Sequence, residues 1–216
     1  MKTSMNIIII PVRLSSSRFP NKPFVNIEGK TMIEHTWIRS TMSKLADRVI
    51  VATPNIEIKK IMKQKGADIV MTSHHHIMCM GRINEAVKKE KLYKSNIVVV
   101  QGDEPLVNPK TIDKMFKILN KKNDFDMLTV MSNISDKNEI INPNRMKMIY
   151  DKKNFVNYIS REPIPSPKKF KGKFNYKKLI CLYGLSGNFL KKYTSLGMSR
   201  YEKVESIDIL RVIENN

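Results

Sequence analysis

The stretch NIIIIPVRLSSSRFPNKP, residues 6–23, decides how this chain is read. Its first part, Asn6 to Val12, is a continuous apolar, β-branched run. That is the pattern of a strand buried on both faces. Its second part carries Arg13, Arg18 and Lys22, three serines at 15–17, and prolines at 20 and 23. A strand buried on both faces belongs inside a mostly parallel sheet. In such sheets ligands sit beyond the carboxyl ends of the strands. The basic, apolar-poor loop therefore falls where a ligand would bind.

The rest of the first half repeats the same alternation. RVIVAT, ending before Pro54, reads as a second buried strand, ADIVMT as a third and NIVVVQGDEP as a fourth that runs into a turn. Between them TMIEHTWIRSTMSK has apolar residues at 32, 33, 37, 38 and 42, a helical spacing. IEIKKIMKQKG reads as a helix ended by Gly66, and RINEAVKKE and TIDKMFKILNK as two more. Strands and helices alternating at these lengths imply right-handed βαβ units. The second half differs. FDMLTVMSNI, MKMIYD, FVNYISR and KLICLYGLSG read as shorter strands with polar turns, NFLKKYTS and VESIDILRVIEN as helices. We expect one domain over 1–216, with an alternating strand–helix half at 1–125 and a second half at 126–216.

Bulk properties narrow the function. With 216 residues and 41% hydrophobic content the chain can bury a core. No apolar run approaches the roughly 18 residues that span a bilayer, and the start lacks a signal-peptide pattern. A cytoplasmic protein with no membrane partner is expected. Cys79 and Cys181 show no metal-binding spacing. The net charge of +19 raises nucleic-acid binding as a possibility. The basic residues are dispersed, clustering only at 168–178, and lack the aromatic interleaving of a single-strand binder. A basic field attracting a small anionic substrate fits better.

Two motifs carry chemistry. In the opening loop the small serines let the backbone offer N–H groups to an anion. Arg13, Arg18 and Lys22 supply charges for phosphate oxygens, with the prolines stiffening the lysine segment. No GxxxxGK[ST] is present, so this is not a Walker loop. The bland alternative is a basic surface loop. In VVVQGDEP, residues 98–105, the strand delivers Asp103 and Glu104 to the sheet edge, where a carboxylate can hold Mg²⁺. As successive strand residues these two should face opposite sides. Gln101 has a donor and an acceptor with which to read a base or a sugar. The bland alternative is an acidic turn. A phosphate loop and a metal-ready carboxylate on neighbouring strands together suggest nucleotidyl transfer.

The run PVRLSSSRFPNKP, then GKTMIEHTW, VAT, VVVQGDEPL, NPN and SREPIP resembles the 3-deoxy-manno-octulosonate cytidylyltransferases over nearly the whole chain. The resemblance implies an α/β fold: a mostly parallel twisted sheet flanked by helices, Rossmann-like and glycosyltransferase-A-like, with a smaller dimerisation arm. It implies transfer of CMP from CTP to a 3-deoxy-2-keto sugar acid with Mg²⁺, in a homodimer. It implies 1–125 as the nucleotide-binding half and 126–216, C-terminally short against the family, as the sugar-binding and dimerisation half. By the same resemblance Arg13, Ser16, Arg18 and Lys22 belong to the triphosphate loop. His76 and Arg82 fall in the base-reading segment. Gln101 and Asp103 match a base- or sugar-reading glutamine and a metal-binding aspartate. Arg161, Tyr183 and Glu202 fall on the sugar-acid side, with Glu205 following on the same helix.

Three departures stand out. Where the family reads Ser-Gly-Thr between its histidine and arginine, this chain has Met78, Cys79 and Met80. Leu179 replaces a histidine ahead of the Tyr183 segment. The family pattern also continues into an Asp-Thr-Pro-Glu-Asp-Leu segment with a second metal-binding aspartate, which these 216 residues do not contain. They motivate an alternative: a relative that binds a nucleotide or a partner without turnover. The three histidines at 74–76 are not expected to form a zinc site, since adjacent histidines do not share a face and no carboxylate lies at ligand spacing.

Overall fold

The computed structural model describes residues 4–15, 19–121, 124–169 and 172–215. The elements follow in chain order. β1 (Asn6–Pro11) leads through the basic loop to a 3-10 turn at Lys22–Phe24 and a small hairpin, β2 (Asn26–Ile27) and β3 (Lys30–Thr31). Then come α1 (Met32–Thr41), β4 (Arg48–Thr53), α2 (Ile56–Gln64), β5 (Asp68–Met71), α3 (Cys79–Lys89), β6 (Asn96–Val100) and α4 (Pro109–Leu119). β7 (Met127–Asn133), α5 (Asn138–Ile141), β8 (Lys147–Tyr150), β9 (Val156–Ser160) and β10 (Lys177–Ser186) follow. The chain closes with α6 (Gly187–Ser195), α7 (Arg200–Glu205) and α8 (Leu210–Glu214).

The chain forms two compact units, Met1–Leu128 with Leu182–Thr194, and Thr129–Cys181 with Ser195–Asn216. The expected division drew one line, at residue 125. The chain in fact returns to the first unit at residue 182.

In the first unit the strand order is β5-β4-β1-β6-β10. β5, β4, β1 and β6 run parallel, and the second half of β10 is antiparallel to β6, with Tyr183 opposite Val99. Ile7 to Ile10 and Ile97 to Val100 are wholly buried, as central strands covered on both faces must be. Each such side chain contributes about 1.5–3 kcal/mol relative to exposure. α1 starts where Thr31 and Glu34 form a reciprocal capping box, and α4 where Asn108 accepts from the Lys110 amide at 3.0 Å. α2 ends beside Gly66 at φ 86°, a left-handed stop.

In the second unit β8 lies between β9 and the first half of β10, all antiparallel. Its core is smaller and includes Met148, Ile159, Tyr176 and Leu179. Leu179, at the position where the family has a histidine, is a buried residue of β10. The VESIDILRVIEN stretch is not one helix. α7 ends at Ser206, which adopts a left-handed φ of 52°, and α8 begins only at Leu210. Periodicity continued across the break because Ile207, Ile209 and Leu210 are all buried.

Candidate active site

The first unit gathers its functional groups where β1, β4 and β6 end. β1 pairs with β4 on one side and β6 on the other, so their loops emerge side by side. The loop after β1 is anchored by its neighbours. The Leu14 amide donates to Asn55 Oδ1, just beyond β4, at 3.0 Å. The Val12 amide donates to the Ala52 carbonyl at 3.0 Å. Asn21, at φ 55°, takes the left-handed turn that lifts Lys22 into its 3-10 turn. Ser16 and Arg18 lie outside the described residues.

The loop after β6 meets it. Lys22 Nζ donates to Asp103 Oδ2 at 2.5 Å. β6 ends at Val100, so Asp103 and Glu104 stand in a turn, not on the strand as expected. Strand alternation therefore does not govern where they point. The turn sits close to β1 because of Gly102. Its amide donates to the Pro11 carbonyl at 3.3 Å, and a Cβ there would lie 2.9 Å from Val12 Cβ. Buried Thr36 on α1 holds the turn from behind, its hydroxyl donating to the Gly102 carbonyl at 3.3 Å.

The segment after β5 forms a third wall. Arg82 is 3% exposed, and its Nη1 donates to Thr72 Oγ1 at 2.5 Å and to the Ser73 carbonyl at 3.3 Å. Its Nη2 donates to the His76 carbonyl at 3.3 Å, and Arg13 Nη1 donates to the same carbonyl at 3.4 Å. Burial, and then the charge of Arg13, hold the Arg82 pKa below its ordinary value. His76 Nε2 lies 2.6 Å from Glu85 Oε2. Burial pushes the Glu85 carboxyl up. Lys89, the Ser73 amide and hydroxyl, and His76 more than offset this and bring it to about 2. Gly81 lets α3 pass against the imidazole, since a Cβ there would fall 2.8 Å from His76 Nδ1. Gln101 Nε2 donates to Cys79 Sγ at 3.3 Å, so the residue standing in place of the family's glycine meets the expected reading glutamine.

The structure thus brings Arg13, His76 and Arg82 into one network, and Lys22 and Asp103 into another. Sequence reasoning missed the groups that hold them: Thr72, Ser73 and Glu85. Glu85 carried a usable signal, since it lies three residues after Arg82 and four before Lys89 on α3. Among the described residues no group of three or more His, Cys, Asp or Glu could hold a metal by itself. Asp103 is half exposed, with hard carboxylate oxygens, and suits a Mg²⁺ that takes most of its shell from phosphate and water.

Tyr183 is 4% exposed on β10. In the second unit the Arg161 guanidinium is held by three carbonyls. Nε donates to Glu205 at 2.7 Å, Nη1 to Pro143 at 2.9 Å and Nη2 to Ser206 at 3.3 Å. Glu202 is 1% exposed at the start of α7, where it completes a capping box with Ser199. Both its oxygens accept from Arg211, at 2.7 and 2.8 Å.

A basic loop and a carboxylate presented together at one edge of a parallel sheet are an arrangement that suits a nucleotidyltransferase. A family model described as cytidylyltransferase matches residues 7–216. The chain is 37% identical to a 3-deoxy-manno-octulosonate cytidylyltransferase of Thermodesulfovibrio yellowstonii, covering 98% of this chain and 87% of that one. It is 38% identical to one of Fusobacterium nucleatum, covering 96% and 83%. A solved structure of CMP:2-keto-3-deoxy-manno-octonic acid synthetase complexed with CTP superposes with a TM-score of 0.89 at 28% identity, covering 98% and 86%. A cytidylyltransferase from Leptospira borgpetersenii shares the fold, with a TM-score of 0.63 at 20% identity. The chain belongs to the cytidylyltransferase family, within its group of 3-deoxy-manno-octulosonate cytidylyltransferases. No helix among the described residues is long and apolar enough to cross a membrane.

Proposed function

We propose that this protein transfers CMP from CTP to 3-deoxy-manno-octulosonate, or a sugar acid very like it, and releases pyrophosphate, as a cytoplasmic homodimer that serves surface-sugar assembly. The observation that supports the reading is the contact of Lys22 with Asp103, a cation and a carboxylate side by side where β1 and β6 end. The names of the relatives supply the substrate class. The alternative of a binder without turnover finds no support in these likenesses.

In this reading the anomeric oxygen of the sugar acid, as its anion, attacks the α-phosphorus of CTP in line. The bond from that phosphorus to the β-phosphate bridging oxygen breaks, and pyrophosphate leaves with the electron pair. Positioning and charge neutralisation supply most of the acceleration. Arg13, Ser16, Arg18 and Lys22 hold the triphosphate and the leaving pyrophosphate. His76 and Arg82 shape the base side. Asp103 would hold Mg²⁺, whose chemistry when bound is to neutralise charge building on the phosphate oxygens. Gln101, Tyr183 and Arg161 take the sugar-acid side, with Arg161 pairing the carboxylate through a bidentate fork. Glu202 reaches a ligand only by exchanging its bond with Arg211.

The test is a pyrophosphate-release assay with CTP, Mg²⁺ and a panel of sugar acids. Release is expected with 3-deoxy-2-keto acids and not with simple hexuronic acids. Tight CTP binding without release on any sugar acid would leave only the binding alternative.

A further inference from the structure

We infer that Lys147 is a positioning residue for Arg161, fixing the guanidinium to which the proposed function gives the sugar-acid carboxylate; the inference rests on that reading. Lys147 opens β8 and is 0% exposed, the one lysine among the described residues buried so deeply. Taking an ammonium out of water is strongly unfavourable unless something compensates it. Among the described residues it has no carboxylate at ion-pairing distance. Its Nζ donates to two backbone carbonyls, Asn142 at 3.1 Å and Arg161 at shorter range. The fold does neutralise its cross-strand partner: Lys178 pairs with Glu139 at 2.6 Å. Lys147 is left to hold backbone alone.

The backbone it holds is that of Arg161. On one side of that residue the Glu205 carboxylate accepts the Arg161 amide at 2.9 Å, and on the other Lys147 takes the Arg161 carbonyl. The second bond of Lys147 goes to Asn142, next to Pro143, whose carbonyl accepts Arg161 Nη1 at 2.9 Å. One ammonium therefore ties the Arg161 main chain to the turn that orients the Arg161 side chain. Three of the five guanidinium N–H donors point at carbonyls, which sets the plane of the fork. A methionine of similar volume would avoid the desolvation and pack as well, so packing alone does not account for a lysine here. Burial also holds the Lys147 pKa below its ordinary value, against the fields of Glu162 and Glu205.

The test is a double-mutant cycle with Lys147→Met and Arg161→Ala, reading KM for 3-deoxy-manno-octulosonate and for CTP, and the melt of each variant. Arg161→Ala should raise the sugar-acid KM strongly. Lys147→Met should raise it by about tenfold with CTP KM within about twofold, and should add nothing in the Arg161→Ala background. An unchanged sugar-acid KM in Lys147→Met, an equal rise in both KM values, or full additivity overturns the inference and leaves the role of Arg161 standing. An unchanged sugar-acid KM in Arg161→Ala removes that role, and the inference with it. Should Lys147→Met not fold, hydrogen exchange of the Arg161 Nε–H in the unaltered enzyme decides by NMR. Exchange at least about tenfold slower than in free arginine is expected from a held guanidinium. Exchange as fast as in free arginine overturns the inference.

Discussion

Lys22 and Asp103 are 81 residues apart in sequence, and their side chains meet at 2.5 Å. The contact ties the loop after β1 to the loop after β6. Both groups are partly exposed, so the pair itself stabilises the fold by no more than about 1 kcal/mol. Its consequence is for binding: each residue keeps the other at the sheet edge in the absence of ligand. Lys22→Ala should leave the melt nearly unchanged and raise CTP KM by about ten- to a hundredfold, since a charge-assisted bond to phosphate contributes about 1.5–3 kcal/mol. Steady-state kinetics and a thermal melt check this. A CTP KM within twofold of the parent enzyme would place the triphosphate elsewhere.

The same pair bears on the metal. In the free protein an incoming Mg²⁺ must displace the Lys22 ammonium from Asp103, and Mg²⁺ is held by one or two carboxylates only when phosphates and water complete its octahedron. We predict negligible Mg²⁺ binding to the protein alone and clear binding once CTP is present. Asp103→Asn should abolish the second and lower turnover by at least about a hundredfold. Calorimetric titration with and without CTP measures the difference. Tight Mg²⁺ binding without nucleotide would contradict it.

Glu85 should act on nucleotide binding without touching nucleotide. It fixes His76, whose carbonyl receives both Arg13 and Arg82. Glu85→Gln should raise CTP KM severalfold and leave sugar-acid KM unaltered, because the disturbance stays in the loop after β5. Equal changes in the two constants would point to a general loss of structure.

Acid should destabilise the fold through two carboxylates. In Glu34, as in Glu85, burial raises the pKa. For Glu34, bonds from the Thr31 amide, Lys65 and the Thr31 hydroxyl override it and bring the group to about 2, against an ordinary 4.5. A carboxyl whose pKa is lower when folded contributes stability that is complete above its unfolded pKa and lost as the pH falls through the folded one. The melting temperature should therefore fall as the pH drops from about 5 toward 2. Glu34→Gln should be less stable at pH 7, with a shallower acid-side slope. Melts from pH 7 to pH 3 test this; equal slopes in parent and variant would remove Glu34 from the account.

Gly102→Ala probes the approach of the two loops. The added Cβ would lie 2.9 Å from Val12 Cβ and 3.1 Å from the Pro11 carbonyl, neither of which can swing away. A loss of about 1–3 kcal/mol is expected from such overpacking, with a larger loss of activity because Asp103 is the next residue. Denaturant unfolding and turnover measured together check both halves.

The sequence by itself determined the parallel half of this protein. Buried β-branched runs such as Ile7–Ile10 and Ile97–Val100 are the pattern of strands covered on both faces, and turn residues fix where they end. It also exposed the chemical groups: Arg13, Lys22 and Asp103 are legible because charge is conspicuous directly after an apolar strand. Other features were decided only by tertiary structure. Periodicity continues through residues 206–209, so nothing local marks the left-handed Ser206 that separates α7 from α8. The turn at Asp103 looked like strand because Val98–Val100 precede it without a break. The partners of Glu85 and Lys147 are not legible in the sequence, since residue type says nothing of burial. Glu85 gains its role from His76 across a helix start, and Lys147 from the carbonyl of Arg161, 14 residues away on the next strand's end. Hydrogen bonds to main-chain carbonyls leave no trace in composition, because every residue carries one. Only the fold selects which of them a charged side chain will meet.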